Sequence, residues 1–99
     1  MNRTGDNPAD GPLVREFVIR NRLGVHARPA ALMVKLAAAY DAEVQVEKGN
    51  NRVSGKSIMG LLTLEAGCGS KLTVIVEGPG AEDLLGELTE LISRNFDEE

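Results

Sequence analysis

The chain has 99 residues, 42% of them apolar, a formal net charge of −4 and only three aromatic side chains, Phe17, Tyr40 and Phe96. That describes one small domain whose core must come from Leu, Ile, Val, Met and Ala. No stretch approaches the roughly 20 apolar residues that span a bilayer, Met1 to Gly11 is polar rather than a signal core, and an acidic chain without aromatic–basic interleaving argues against a nucleic-acid partner.

In chain order, residues 1–12 are rich in Asn, Asp, Gly and Pro without periodicity, and are expected to form a disordered extension ahead of a domain over residues 13–99. Val14 to Arg20 shows an imperfect alternation that predicts a strand, and Asn21 to His26 a loop. Ala27 to Tyr40 is dominated by Ala, Leu, Met and Lys, which predicts a helix. Pro29 is compatible with its first turn, where the missing N–H would have had no intrahelical partner. Glu43 to Lys48 alternates valines with polar residues, Gly49-Asn50-Asn51 signals a tight turn, and Arg52-Val53-Ser54 can pair back as a second arm.

Ser57 to Glu65 predicts a short helix with Ser57 as N-cap and Gly67 as stop signal. Lys71 to Glu77 is the clearest strand, with Leu72, Val74 and Val76 on one face. After Gly78-Pro79-Gly80, the residues Ala81, Leu84, Leu85, Leu88, Leu91 and Ile92 recur at helical spacing, with Glu82 and Asp83 at the positive end of the dipole. The order β-α-β-β-α-β-α predicts an α+β open-faced two-layer sandwich, a four-stranded antiparallel sheet covered on one face by three helices.

Cys68, the only cysteine, cannot form an internal disulfide and has no metal spacing, so a reducing, cytoplasmic setting is expected without a metal or cofactor. The charge is uneven. Residues 1–40 carry six basic and three acidic side chains, whereas residues 41–99 carry five and twelve. The basic excess (Arg15, Arg20, Arg22, Arg28, Lys35) surrounds the only histidine, and suits an acidic protein partner or an anionic ligand.

That histidine lies in Gly24-Val25-His26-Ala27-Arg28-Pro29-Ala30. A neutral imidazole can act as a nucleophile, the helix start after it offers free N–H groups, and Arg28 supplies a planar fork for phosphate oxygens. Spacing alone leaves His26 between a structural and a chemical role. It also leaves Ser57 between a plain cap and something more. Ile58, Met59, Leu61, Leu62 and Leu64 are too many apolar residues for one face of a short helix. Some are therefore expected at the surface as a partner patch, with packing the alternative for Met59.

The segment around His26 resembles the phosphorylation-site signature of the histidine-containing phosphocarrier (HPr) family of the phosphoenolpyruvate-dependent phosphotransferase system. Gly55-Lys56-Ser57-Ile58-Met59-Gly60-Leu61 resembles that family's second signature, centred on a regulatory serine. The resemblance covers about residues 13–96, and the extension and the acidic end Asp97-Glu98-Glu99 depart from it without touching either motif. It implies that His26 accepts a phosphoryl group on Nδ1 from enzyme I and passes it to IIA-type proteins. Arg28 and the backbone N–H groups of Ala27 and Arg28 would stabilise the phosphate, and Ile58 and Met59 would dock partners. It also implies regulatory phosphorylation of Ser57 by HPr kinase/phosphorylase, a link to a catabolite-control transcription factor, and a monomeric carrier. The competing expectation is a regulatory binding module of a nitrogen or catabolite-control branch. An independent enzyme fits less well, because the motif holds no second general acid or base.

Overall fold

The computed structural model describes residues 11–98. The elements are β1 (Leu13–Val18), α1 (Ala27–Ala38), β2 (Glu43–Lys48), β3 (Asn51–Ser54), α2 (Ile58–Thr63), β4 (Lys71–Glu77) and α3 (Ala81–Ser93), followed by a tight turn at Asn95–Asp97. The expected extension lies outside the described residues up to residue 10. The four strands form one antiparallel sheet in the order β1-β4-β2-β3. The predicted element order and open-faced architecture are what the chain adopts.

Alternation sends one side of each strand into the core. Val44, Val46, Leu72, Val74 and Val76 are buried, whereas Glu43 and Glu77 on the other face are exposed. In β1, Leu13, Arg15 and Phe17 lie opposite Val76, Val74 and Leu72, which places them on the helix-covered side. Val14 and Val18 are therefore the exposed set. All six apolar positions predicted for the last helix are buried. Each leucine or isoleucine in that stripe contributes about 1.5–3 kcal/mol by leaving water.

The boundaries differ from the sequence reading in three places. β1 ends at Val18 rather than Arg20, because its partner β4 begins opposite it at Lys71. Ile19 instead donates to Ser70 O at 2.9 Å and accepts from Gly69 N, so it is pinned to the turn before β4. α1 ends at Ala38 rather than Tyr40, closing with Ala39 N–H to Leu36 O and Tyr40 N–H to Ala37 O, both 3.2 Å. Tyr40 then turns towards α3. Its hydroxyl donates to Glu87 Oε2 at 2.9 Å, a bond that holds the phenol above its ordinary pKa. Gly80 makes room for the ring, since a Cβ there would lie 2.5 Å from Tyr40 Cδ1.

α2 ends earlier than predicted, at Thr63 rather than Glu65. Ser57 is its N-cap, as expected, but the stop is made by Glu65 at φ 52 rather than by Gly67. The Lys48 ammonium donates to Leu64 O and Glu65 O, each at 3.1 Å, and so satisfies carbonyls left free at that end.

After α3 the sequence reading expected nothing but an acidic tail. Asn95, Phe96 and Asp97 instead take φ values of 56, 56 and 60, three consecutive non-glycine residues in the left-handed region. Such backbone costs about 1–2 kcal/mol per residue, so surrounding contacts must hold it. Phe96 supplies one. Its ring is fully buried in the core cluster.

Candidate functional site

His26 is the N-cap of α1, with extended backbone and no side-chain capping bond. Its carbonyl accepts from Ala30 N–H at 3.0 Å, the first bond of the helix. Pro29, one residue earlier, has no N–H. The helix start therefore leaves the N–H groups of Ala27 and Arg28 without intrahelical partners, and both residues are exposed. An anion placed there meets two aimed donors, the positive end of a 12-residue helix and the Arg28 side chain.

The loop before the helix is held from below. Gly24 N–H donates to Asn21 O at 3.1 Å, and Val25 N–H donates to Ala66 O at 2.8 Å. Gly24 has φ +69, and a Cβ on it would collide with Ala66 O and lie 2.7 Å from Gly67 Cα. The residue before the histidine motif's valine is thus glycine for two separate reasons, conformation and space. Asn21 is fully buried under the loop, its Nδ2 donating to Gly24 O at 2.7 Å.

Residue types and spacing gave no hint of the next contact. The Glu98 carboxylate reaches His26, with Oε2 2.8 Å from Nε2, while its Oε1 accepts from Asn21 Nδ2 at 3.1 Å. The acidic end leaves both motifs intact in sequence, yet in the fold it meets one of them. The tight turn after α3 swings Glu98 back across 72 residues of sequence onto the imidazole. The His26 side chain is still 38% exposed, and among the described residues its Nδ1 has no hydrogen-bond partner. Arg22, Leu23, Arg28, Asp97 and Glu98 line one shallow depression beside it. The basic excess read from the sequence is thus locally balanced by two acids that only folding brings there.

Ser57 lies on α2, with Oγ accepting from Gly60 N–H at 2.9 Å. Ile58 and Met59 are 39% and 71% exposed, whereas Leu61 and Leu64 are buried, so packing does not absorb Met59. Leu23, on the histidine loop, is a further exposed apolar residue that the sequence reading left out. Lys56 turns away from the cap, and its ammonium donates to Tyr40 O at 2.8 Å.

The family model PTS-HPr, described as PTS HPr component phosphorylation site, matches residues 13–94. The phosphocarrier protein HPr of Treponema pallidum is 42% identical over 87 residues, covering 88% of this chain and 99% of that protein. The phosphocarrier protein NPr of Shewanella violacea is 38% identical over 86 residues, covering 87% and 94%. Among solved structures, the crystal structure of HPr-C-His from Thermoanaerobacter tengcongensis superposes with a TM-score of 0.84 at 38% identity, covering 88% of this chain and 98% of that one.

Proposed function

The chain belongs to the HPr family of the phosphoenolpyruvate-dependent phosphotransferase system, and on that premise we propose that it is a general cytoplasmic phosphocarrier, taking a phosphoryl group onto His26 from enzyme I and handing it to IIA-type acceptors. One observation carries the reading: an exposed imidazole whose Nδ1 has no partner among the described residues, beside two free helix N–H groups and Arg28. Phosphoryl transfer needs in-line positioning and neutralised charge more than covalent assistance, and this arrangement offers both. The depression is shallow and open, which suits a carrier that two different proteins must reach in turn. Incubation with phosphoenolpyruvate, enzyme I and Mg²⁺ should give one acid-labile, base-stable phosphate per chain, and its transfer to a IIA protein should regenerate the unmodified form. Phosphate that is acid-stable, or no incorporation at all, rejects the proposal.

Arg28 is exposed and contributes little to the fold. Arg28→Lys keeps the charge but loses the planar fork, so transfer should slow measurably while the melting temperature stays put. Arg28→Ala should be slower still. Parental rates in both variants mean that the guanidinium plays no part.

Ser57 is assigned a regulatory role on the same premise, as the acceptor for HPr kinase/phosphorylase, with a catabolite-control transcription factor as a further partner. A phosphoserine adds about −1.5 to −2 charge next to the exposed Ile58 and Met59, where it would weaken docking of an acidic transfer partner. Aspartate is itself a good N-cap, so Ser57→Asp should keep the parental melting temperature yet slow phosphorylation of His26, with less slowing at high salt. Ser57→Ala should cost about 0.5–2 kcal/mol, because Gly60 N–H loses its acceptor. A parental phosphorylation rate for Ser57→Asp contradicts the regulatory assignment.

The second reading is a regulatory module of a nitrogen or catabolite-control branch. The similarity to an NPr phosphocarrier favours keeping it. Transfer assays with IIA proteins from each branch discriminate the two.

A further inference from the structure

The sequence beyond residue 94 falls outside the family match, yet its carboxylate sits on the histidine ring. A carboxylate only accepts hydrogen bonds, so the 2.8 Å contact calls for a hydrogen on Nε2 of His26, and in the neutral ring the lone pair is then on Nδ1. Three independent features hold this contact. The Phe96 ring is buried two residues before Glu98. Three left-handed residues turn the chain back towards α1. The second carboxylate oxygen is engaged by the buried Asn21 amide, which itself binds the Gly24 carbonyl in the histidine loop.

We propose that the C-terminal segment Asn95–Glu98 is a built-in clip and that Glu98, oriented by Asn21, is the positioning residue for His26. The proposal rests on His26 being the phosphoryl acceptor. In the transfer step the Nδ1 lone pair attacks phosphorus, the N–P bond forms, and the bond to the phosphorylated donor protein breaks with its electron pair leaving on the donor. No proton needs to leave Nδ1, because the clip keeps the ring hydrogen on Nε2. The ring gains positive charge as it is phosphorylated, and the Glu98 carboxylate lies on the far nitrogen to balance it, clear of the incoming phosphate. When the phosphoryl group moves on, the same charge favours departure of a neutral imidazole. Backbone strain of this kind persists only where the surroundings over-determine it, and here the buried Phe96 does so within the turn and Asn21 just beyond it.

The chain has a single histidine, so ¹⁵N-histidine labelling gives one ring to observe. With the ring neutral, the parent protein should show a downfield Nε2–H proton, protected from solvent exchange and coupled to one ring nitrogen. Glu98→Ala should lose that resonance and accept phosphate from enzyme I ~10-fold more slowly, the scale on which removing a ligand's supporting partner acts at other sites. Glu98→Gln retains a neutral acceptor and should recover part of both. If the parent shows no protected Nε2–H proton, or if Glu98→Ala keeps it or is phosphorylated at the parental rate, the positioning role is wrong while the carrier reading stands. If the proton behaves as expected but the phosphate is not on His26, the carrier reading fails instead.

Discussion

His26→Ala should abolish acid-labile labelling by enzyme I and leave the fold in place. The imidazole makes no capping bond to α1, and its one hydrogen bond within the described residues is to Glu98 near the chain end. Losing that bond costs about 1 kcal/mol or less, a shift of a few degrees in melting temperature for a domain of this size. Labelling, by contrast, has no substitute acceptor, because the chain contains no other imidazole. Far-UV circular dichroism should therefore match the parent and the melting temperature should fall by only a few degrees, while the incorporated acid-labile phosphate falls to background. Undiminished acid-labile phosphate on this variant moves the acceptor elsewhere.

Gly24→Ala is the substitution with the largest expected effect on stability. A methyl group there must adopt φ +69 and also meet Ala66 O and Gly67 Cα, both backbone atoms that cannot rotate away. The left-handed conformation costs about 1–2 kcal/mol by itself, and the collision brings the total to roughly 3 kcal/mol or more. Thermal melting should fall by more than about ten degrees. The same loop presents His26, so phosphorylation by enzyme I should slow even at temperatures where the variant is folded. Gly67→Ala is the matched control, because a Cβ at Gly67 meets nothing within 4 Å and its φ is not positive. That variant should melt within about 0.5 kcal/mol of the parent or slightly above it. If the two variants melt alike, the crowding under the loop does not constrain residue 24.

Periodicity and end signals in the sequence determined the element order, the sheet-and-helices layering and every buried position of α3. These are local properties: alternation at two residues or recurrence at three and four states which face is apolar, whatever that face later meets. The histidine segment was legible as a candidate anion site for the same reason, since an imidazole, a guanidinium and a helix start lie within three consecutive residues, but its chemical role came only from the family resemblance. The Ser57 cap needed only the residues after it.

Tertiary structure decided the rest. β1 stops at Val18 because β4 begins at Lys71, and α1 stops at Ala38 while Tyr40 turns to meet Glu87 and Gly80. Whether Met59 is packed or exposed depended on which leucines of α2 the rest of the core could take up. The partner of His26 lay furthest from view. Asn21, Phe96 and Glu98 are an ordinary loop amide, a lone aromatic and a tail carboxylate in sequence, and nothing periodic links them. They meet because the core has room for the Phe96 ring and the chain reverses around it, which brings Glu98 to a ring nitrogen 72 residues away. A contact of that separation has no local signature, since it is fixed by packing and not by the conformational preferences of neighbouring residues.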